Sequence, residues 1–436
     1  MNRAFYLTLA AIAVFIFQTG AYAADSTKKL SLPEGLRIAA SESRVVKIAS
    51  YNKEISGAGI VLARSRFMPN VNAFAGKTYL SYQPAALMGG QPVYMSEKNY
   101  ASYGINAYQT LFDFGQNSSQ IEISKNTHTL SSLELKKIKS LAALDFLSAY
   151  FDTLEAEKII NTSKKEMERL QAHQTAAKNL FDEGVITKND LLQAEVRLAD
   201  ARQRSLSANT TREIFLMRLN NILSFQMTDG IEVEEYDREP GVGTDLNRLW
   251  DYALSNRVEL LIIDKEIKSA ELEESSLRSD YFPKFFAQGG YNYTENSYQQ
   301  HDANWSVILG LNMNLFGGMS TEASVSKAKY RTAQLREKKK QISDEIKLQV
   351  KQAFLEAATS YEKLTVSKNA FEQAEENLRI NKVRYAEGIG TATEVLDAIS
   401  LLTITETNNF KTRYELRKAQ AALLYAAGHD LVSEYQ

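Results

Sequence analysis

The residues able to do chemistry are few and poorly placed for catalysis. The four histidines, His128, His173, His301 and His429, are scattered, and no two have the spacing of a shared metal site. Cysteine is absent from the 436 residues. That removes a thiol nucleophile, a disulfide framework, a Cys-zinc site and an N-terminal lipid anchor on Cys. Gly388-Ile389-Gly390 lacks the third glycine of a dinucleotide loop, and neither a P-loop nor a nucleophile elbow occurs. No catalytic residue, metal or cofactor is expected, and the chain does not read as an enzyme. Two polar turns stand out instead. Thr187 is followed three residues later by Asp190, and Thr391 by Glu394. This is the capping-box pattern, in which the acid reaches back to a free backbone N–H. Capping does not account for Asp397, which lies one turn past Glu394 on the same helical face.

The elements that must position these turns come as two copies of one unit. Phe181-Asp182-Glu183-Gly184-Val185-Ile186-Thr187 matches Tyr385-Ala386-Glu387-Gly388-Ile389-Gly390-Thr391, and Gly388 lies 204 residues after Gly184. The same offset aligns Asp190 to Ala194 with Glu394 to Ala398, Ala149-Tyr150-Phe151 with Ala353-Phe354-Leu355, and Leu111-Phe112 with Leu315-Phe316. A register held over about a hundred residues marks an internal repeat. Upstream, Arg66-Phe67-Met68-Pro69 resembles Asp280-Tyr281-Phe282-Pro283 at an offset of 214, so copy one holds extra residues. They fit the loop from Tyr82 to Asn99, which carries Pro84, Gly89, Gly90 and Pro92. The expected units are a first repeat over 24–225, a linker over 226–245 forming a small belt outside the helices, and a second repeat over 246–436.

Each copy reads helix, two strands, a very long helix, a turn and a helix. Val350, Ala357, Leu364, Phe371, Leu378 and Tyr385 recur every seven residues, with Phe354 and Tyr361 as the expected second heptad position. That period makes a left-handed coiled-coil seam. Leu141, Leu144, Leu147, Phe151 and Leu154 play the same part in copy one. No proline interrupts Gly115 to Phe181, so one helix of roughly 100 Å is predicted. The strands have period two. Trp305, Val307, Leu309, Leu311 and Met313 alternate with Ser306, Ile308, Gly310, Asn312 and Asn314, as a strand between lipid and water requires. In copy one Tyr103, Ile105 and Ala107 alternate with Ser102, Gly104 and Asn106. Tyr291, Tyr293 and Trp305 fall where an interfacial aromatic girdle would lie.

Bulk properties agree. The 51 basic and 53 acidic residues leave no polycation for nucleic acid. Arg3, the apolar run Phe5 to Phe17 and Ala21-Tyr22-Ala23 form an export signal over residues 1–23, with a mature chain starting at Ala24. No later stretch is apolar enough for a membrane helix, so a second membrane entry needs strands. Four strands cannot close a barrel, because the smallest membrane barrels have eight. The chain must oligomerise; a dimer, trimer or tetramer satisfies the physics equally. Two other readings are a periplasmic adaptor and an exported coiled-coil structural protein. The first nests one hairpin inside globular domains rather than running copies in tandem, and the second needs no alternating strands.

The tandem copies, the Pro-strand-loop-strand-Leu-Phe-(Asp/Gly) junctions and the stretch from Tyr385 to Ala398 resemble the TolC family of outer-membrane efflux proteins, over about residues 30 to 430. The resemblance implies a mainly α fold with membrane β. Three chains would form a twelve-stranded barrel, continued by a long α-helical coiled-coil barrel through the periplasm. It implies a passive outer-membrane exit duct of a Gram-negative cell. The duct would work with a periplasmic adaptor and an energised inner-membrane transporter of the RND or ABC class. It further implies a constriction at the tip turns carrying Gly184, Thr187, Gly388 and Thr391. Glu394 and Asp397 match the constriction positions, and three-fold symmetry would stack their carboxylates in two rings that favour cations, with Asp190 and Tyr385 also in the tip turns. Well-known members carry a basic residue near the position of Gly390, so closure here must use other contacts. Tyr385 is also a heptad position, where core packing is the simpler role.

Overall fold

The computed structural model describes residues 28–238, 240, 241, 243 and 245–436; the expected export signal over residues 1–23 lies outside them. The first half runs β1 (Lys28–Leu30), α1 (Leu32–Glu42), α2 (Arg44–Arg64), β2 (Asn70–Tyr79), β3 (Ala85–Met88), β4 (Gln91–Tyr94), β5 (Asn99–Phe112), α3 (Gln116–Asp182) and α4 (Lys188–Leu223). After β6 (Ile231–Val233) come α5 (Leu246–Asn256), α6 (Val258–Arg278), β7 (Lys284–Thr294), β8 (Ala303–Asn312), α7 (Ser320–Ala386), α8 (Ala392–Ala427) and α9 (Leu431–Glu434). Corresponding helices have equal lengths. α1 and α5 have 11 residues each, α2 and α6 have 21, α3 and α7 have 67, and α4 and α8 have 36. At 1.5 Å per residue α3 and α7 each reach about 100 Å.

The strands start where proline ends the preceding turn: β2 directly after Pro69 and β7 directly after Pro283. Among the described residues β2, β5, β7 and β8 form one antiparallel sheet in that order, so β2 and β8 are its edges. Each long helix then leaves the sheet through a pair of left-handed residues, Phe114 and Gly115 in the first half, Gly318 and Met319 in the second. Asp113 caps the first of these turns by accepting the N–H of Asn117 at 3.0 Å.

Three elements differ from the sequence expectation. The extra loop of the first half folds into its own hairpin, β3 against β4. Residues 226–245 do more than skirt the helices. β6 pairs in parallel with β1, and Ile231 and Val233 enter the core formed by Leu30, Leu36, Phe146, Tyr150, Leu219 and Leu424. The hydroxyl of Tyr150 donates to the carbonyls of Glu234 (2.6 Å) and Leu30 (3.2 Å), pinning both strands to α3. Gly35 is required here, since a Cβ would sit 2.1 Å from the Phe146 ring.

The seam of α7 also corrects a detail. Val350, Ala357, Leu364, Phe371, Leu378 and Tyr385 are buried or half-buried, as a heptad demands. The second inward row is Ala353, Ser360, Ser367, Ala374 and Asn381, one residue before the expected Phe354 and Tyr361, and Tyr361 is 65% exposed. Small side chains in that row let α8 approach closely, and Ser367 bonds Thr412 across the gap at 2.7 Å. Trp250 on α5 fastens the short helix to α7 through its indole N–H and the carbonyl of Lys347, 2.9 Å apart.

Candidate functional site

The far ends of the two helical hairpins are built alike. α3 ends at Gly184 (φ 76°) and α7 at Gly388 (φ 72°), left-handed positions open to solvent where glycine carries no steric penalty. Gly184 N–H donates to Phe181 O (2.9 Å) and Val185 N–H to Leu180 O (2.8 Å). Gly388 and Ile389 repeat this with Tyr385 O (3.1 Å) and Arg384 O (3.0 Å). Both are Schellman closures that satisfy the last helical carbonyls. The next helices then open on full capping boxes. Thr187 and Asp190 exchange bonds at 3.1 and 3.4 Å, Thr391 and Glu394 at 2.9 and 3.2 Å.

These bonds separate the two acids of the second turn. Glu394 spends one oxygen on the Thr391 N–H, and its other lies 3.6 Å from Arg384. Asp397 is two-thirds exposed, with Arg197 of α4 at 3.9 Å as a loose partner. Unlike Glu394 it makes no backbone cap, and it lies beside a shallow cavity shared with Asn189, Asp200 and Thr393. Gly390 lies against the backbone of Arg384 and Tyr385, where a Cβ would be 3.0 Å from the Tyr385 nitrogen. Sequence reasoning missed Arg384 and Arg197; Arg197 lies 200 positions before Asp397, so no local spacing points to that pair. The ring of Tyr385 packs against the tip core of Leu170, Leu378, Val395 and Leu402. It faces the His173 ring at 5.4 Å. Burial, then the Asp190 carboxylate, pushes the Tyr385 phenol above its ordinary pKa. Burial and then the Lys382 charge hold His173 below its own.

Farther up the coil lies an unforeseen layer of buried charge. Glu406 of α8 is paired with Lys165 at 2.9 Å and Arg169 at 3.5 Å, and Glu166 of α3 with Arg204 of α4 at 2.8 Å. Both glutamates are almost fully buried. Charges in such a place are tolerated only when paired.

At the opposite end, the strand register sorts side chains by chemistry. Opposed residues of antiparallel strands share a face. One face carries Val71, Ala73 and Ala75 of β2, Tyr103, Ile105 and Ala107 of β5, Phe285, Ala287 and Tyr291 of β7, and Trp305, Val307, Leu309 and Leu311 of β8. The other is mostly polar, with Asn70, Asn72, Ser102, Asn106, Gln288, Asn292, Asn304, Ser306 and Asn312, but also carries Phe74, Tyr108, Phe286 and Ile308. Met313 falls just past the end of β8, because Lys284 pairs with Asn312 and the ladder stops there. Tyr103 and Tyr293 stack at 4.6 Å near the end of the sheet remote from the helices. Among the described residues no helix is long and apolar enough to cross a membrane, and no group of three or more metal-ligating side chains occurs.

A sheet with one apolar face, standing on paired helices of this length, defines a membrane-anchored channel protomer. The outer membrane efflux protein model matches residues 36–224 and 249–429; the chain belongs to that family, and it is an outer-membrane duct for export. Its curated relatives include the alkaline protease secretion protein AprF of Pseudomonas aeruginosa, 20% identical over 92% of this chain and 84% of AprF. Nodulation protein T of Rhizobium leguminosarum bv. trifolii is also 20% identical, over 89% of this chain and 83% of its own. Among solved structures the Campylobacter jejuni CmeC outer membrane channel superposes with a TM-score of 0.80 at 14% identity, covering 91% of this chain and 85% of CmeC.

Proposed function

We propose that three copies of this chain close a twelve-stranded barrel in the outer membrane, with two tandem repeats in each chain. The long helices continue the barrel as one periplasmic tunnel. The carrying observation is the open four-stranded sheet, whose edges β2 and β8 each have a single neighbour among the described residues. Unpaired edge groups in lipid cost several kcal/mol each, so neighbouring copies must complete the ladder. The apolar face, with Trp305, Val307, Leu309 and Leu311, meets lipid, and the polar face lines the pore. The helices support the same assembly. Ile48, Tyr51, Ile55 and Leu62 make a heptad stripe on α2, each at least 60% exposed in the single chain.

The duct is passive. Energy comes from an inner-membrane transporter of the RND or ABC class, coupled through a periplasmic adaptor that meets the hairpin tips. At those tips Asp397 contributes one carboxylate per chain to a cation-favouring ring, while Asp190 and Glu394 shape the turns as caps. Single-channel recording of the detergent-purified protein tests the reading. Cation-selective steps whose size or selectivity changes in Asp397→Ala are expected. Steps indifferent to that change would move the constriction elsewhere, and no channels from a folded oligomer would overturn the duct.

A further inference from the structure

A concentration of unneutralised charge lies away from both the tips and the strands. A cavity of about 460 Å³ opens where α1, α3, the start of α6 and the end of α8 meet, a size within the ordinary range of ligand pockets. Five cations line it, Arg37, Lys136, Lys137, Lys139 and Arg257, against two carboxylates, Glu259 and Asp430.

Both carboxylates are already committed. Glu259 is held by the buried Arg257 through two bonds of 2.9 Å, and Asp430 caps α9 through Val432 N–H (3.3 Å) and Ser433 Oγ (2.8 Å). Arg257 is fixed in turn by Gln349 and by the carbonyl of Ala426, each at 3.0 Å. Lys137 lies 3.8 Å from Glu134 and also feels the charge of Glu259. Arg37, Lys136 and Lys139 have no ion-pair partner among the described residues. Three free cations and one half-neutralised one therefore converge on one recess, with Ala143, Val258 and Val432 supplying apolar wall.

The packing of the coil does not demand this. At the matching offsets of the second half, Asp251 stands for Arg37, Lys340 for Lys136, Gln341 for Lys137 and Ser343 for Lys139, while Ser43 and Val45 stand for Arg257 and Glu259. Lys340 is neutralised by Glu337 at 2.8 Å. The same stretch of α7 is also basic, but Lys338, Lys339 and Lys340 are each paired with an acid, Glu266, Asp264 and Glu337, so the unneutralised cluster is peculiar to the first half.

We propose that this cavity binds a small multivalent anion bearing phosphate groups or several carboxylates. Lipid headgroups are out of reach, because the 21 residues of α6 hold the cavity about 30 Å from the strands. Once bound, the anion bridges α1 and α3 of the first half to the α6 and α8 junction of the second.

Calorimetric titration of the full chain in detergent, at fixed ionic strength, uses tripolyphosphate in one arm and citrate in the other. Saturable binding of at least one, near one site per chain, is expected, and the stronger arm identifies the chemistry. The pair Lys136→Gln with Lys139→Gln, and separately Arg37→Gln, should each weaken it at least tenfold. The distant pair Lys363→Gln with Lys368→Gln should leave it unchanged. Flat titrations in both arms, or equal weakening by the distant pair, would overturn the proposal.

Discussion

Two acids one turn apart in the second tip turn have different employment, and substitutions should separate them. Thr391→Ala removes the hydroxyl that caps α8 and should cost about 1 kcal/mol, seen as faster amide exchange across the tip. His173 titrates there too. Its folded pKa is held below the ordinary histidine value of about 6.5, so near and below that pH the unfolded state binds the extra proton. Stability at the tip is full above about pH 6.5 and falls as pH drops through that window. Amide exchange around residues 170–177 should therefore accelerate on acidification, and His173→Leu should flatten the dependence. Glu406 was not visible as a buried charge, because a glutamate in a polar helix normally faces water. Its removal as Glu406→Ala leaves Arg169 without its carboxylate while the half-exposed Lys165 can turn to water, and should destabilise by about 1–2 kcal/mol in a thermal melt. The tip acids were legible because Thr-x-x-acid spacing has a backbone meaning. Their arginine partners were not, since a side chain's reach is set by neighbouring helices.

At the scale of the element, the strands give the sharpest contrast. Leu309 and Ile308 are adjacent and both apolar, yet the register puts them on opposite faces. Leu309→Arg should cost about 2–4 kcal/mol and impair membrane assembly, whereas Ile308→Arg should assemble and alter conductance. A heat-modifiability assay on washed membranes, followed by channel recording, reads both. The strands were legible because a period of two and a bounding proline are local signals. The hairpin of β3 and β4 was not, since Ala85-Ala86-Leu87-Met88 has no alternation. β1 and β6 were missed because three residues cannot display a period. The heptad of α7 was read one residue off in its second row. Aromatic size pointed to Phe354 and Tyr361, but close helix packing selects Ala353, Ser360 and Ser367.

The whole molecule is shaped by what one chain leaves uncovered. With the α2 stripe as a contact of the proposed trimer, Ile55→Glu should shift the protein toward monomer in light scattering, while its helical content stays the same. A trimer indifferent to that charge would place the contact on another face. The equal length of α3 and α7 has a further consequence. Both hairpins start from one sheet, and in the proposed tunnel they must end level for their turns to meet around one opening. The gene therefore encodes a single reach twice, and neither half is free to change alone. Losing a heptad from both arms of one hairpin would leave alternate tips short and the mouth ragged, whereas the same paired loss at the matching offsets of the other half would restore a flush rim. Insertions and deletions along the coils of related genes should accordingly come as pairs, in whole heptads, about 204 positions apart.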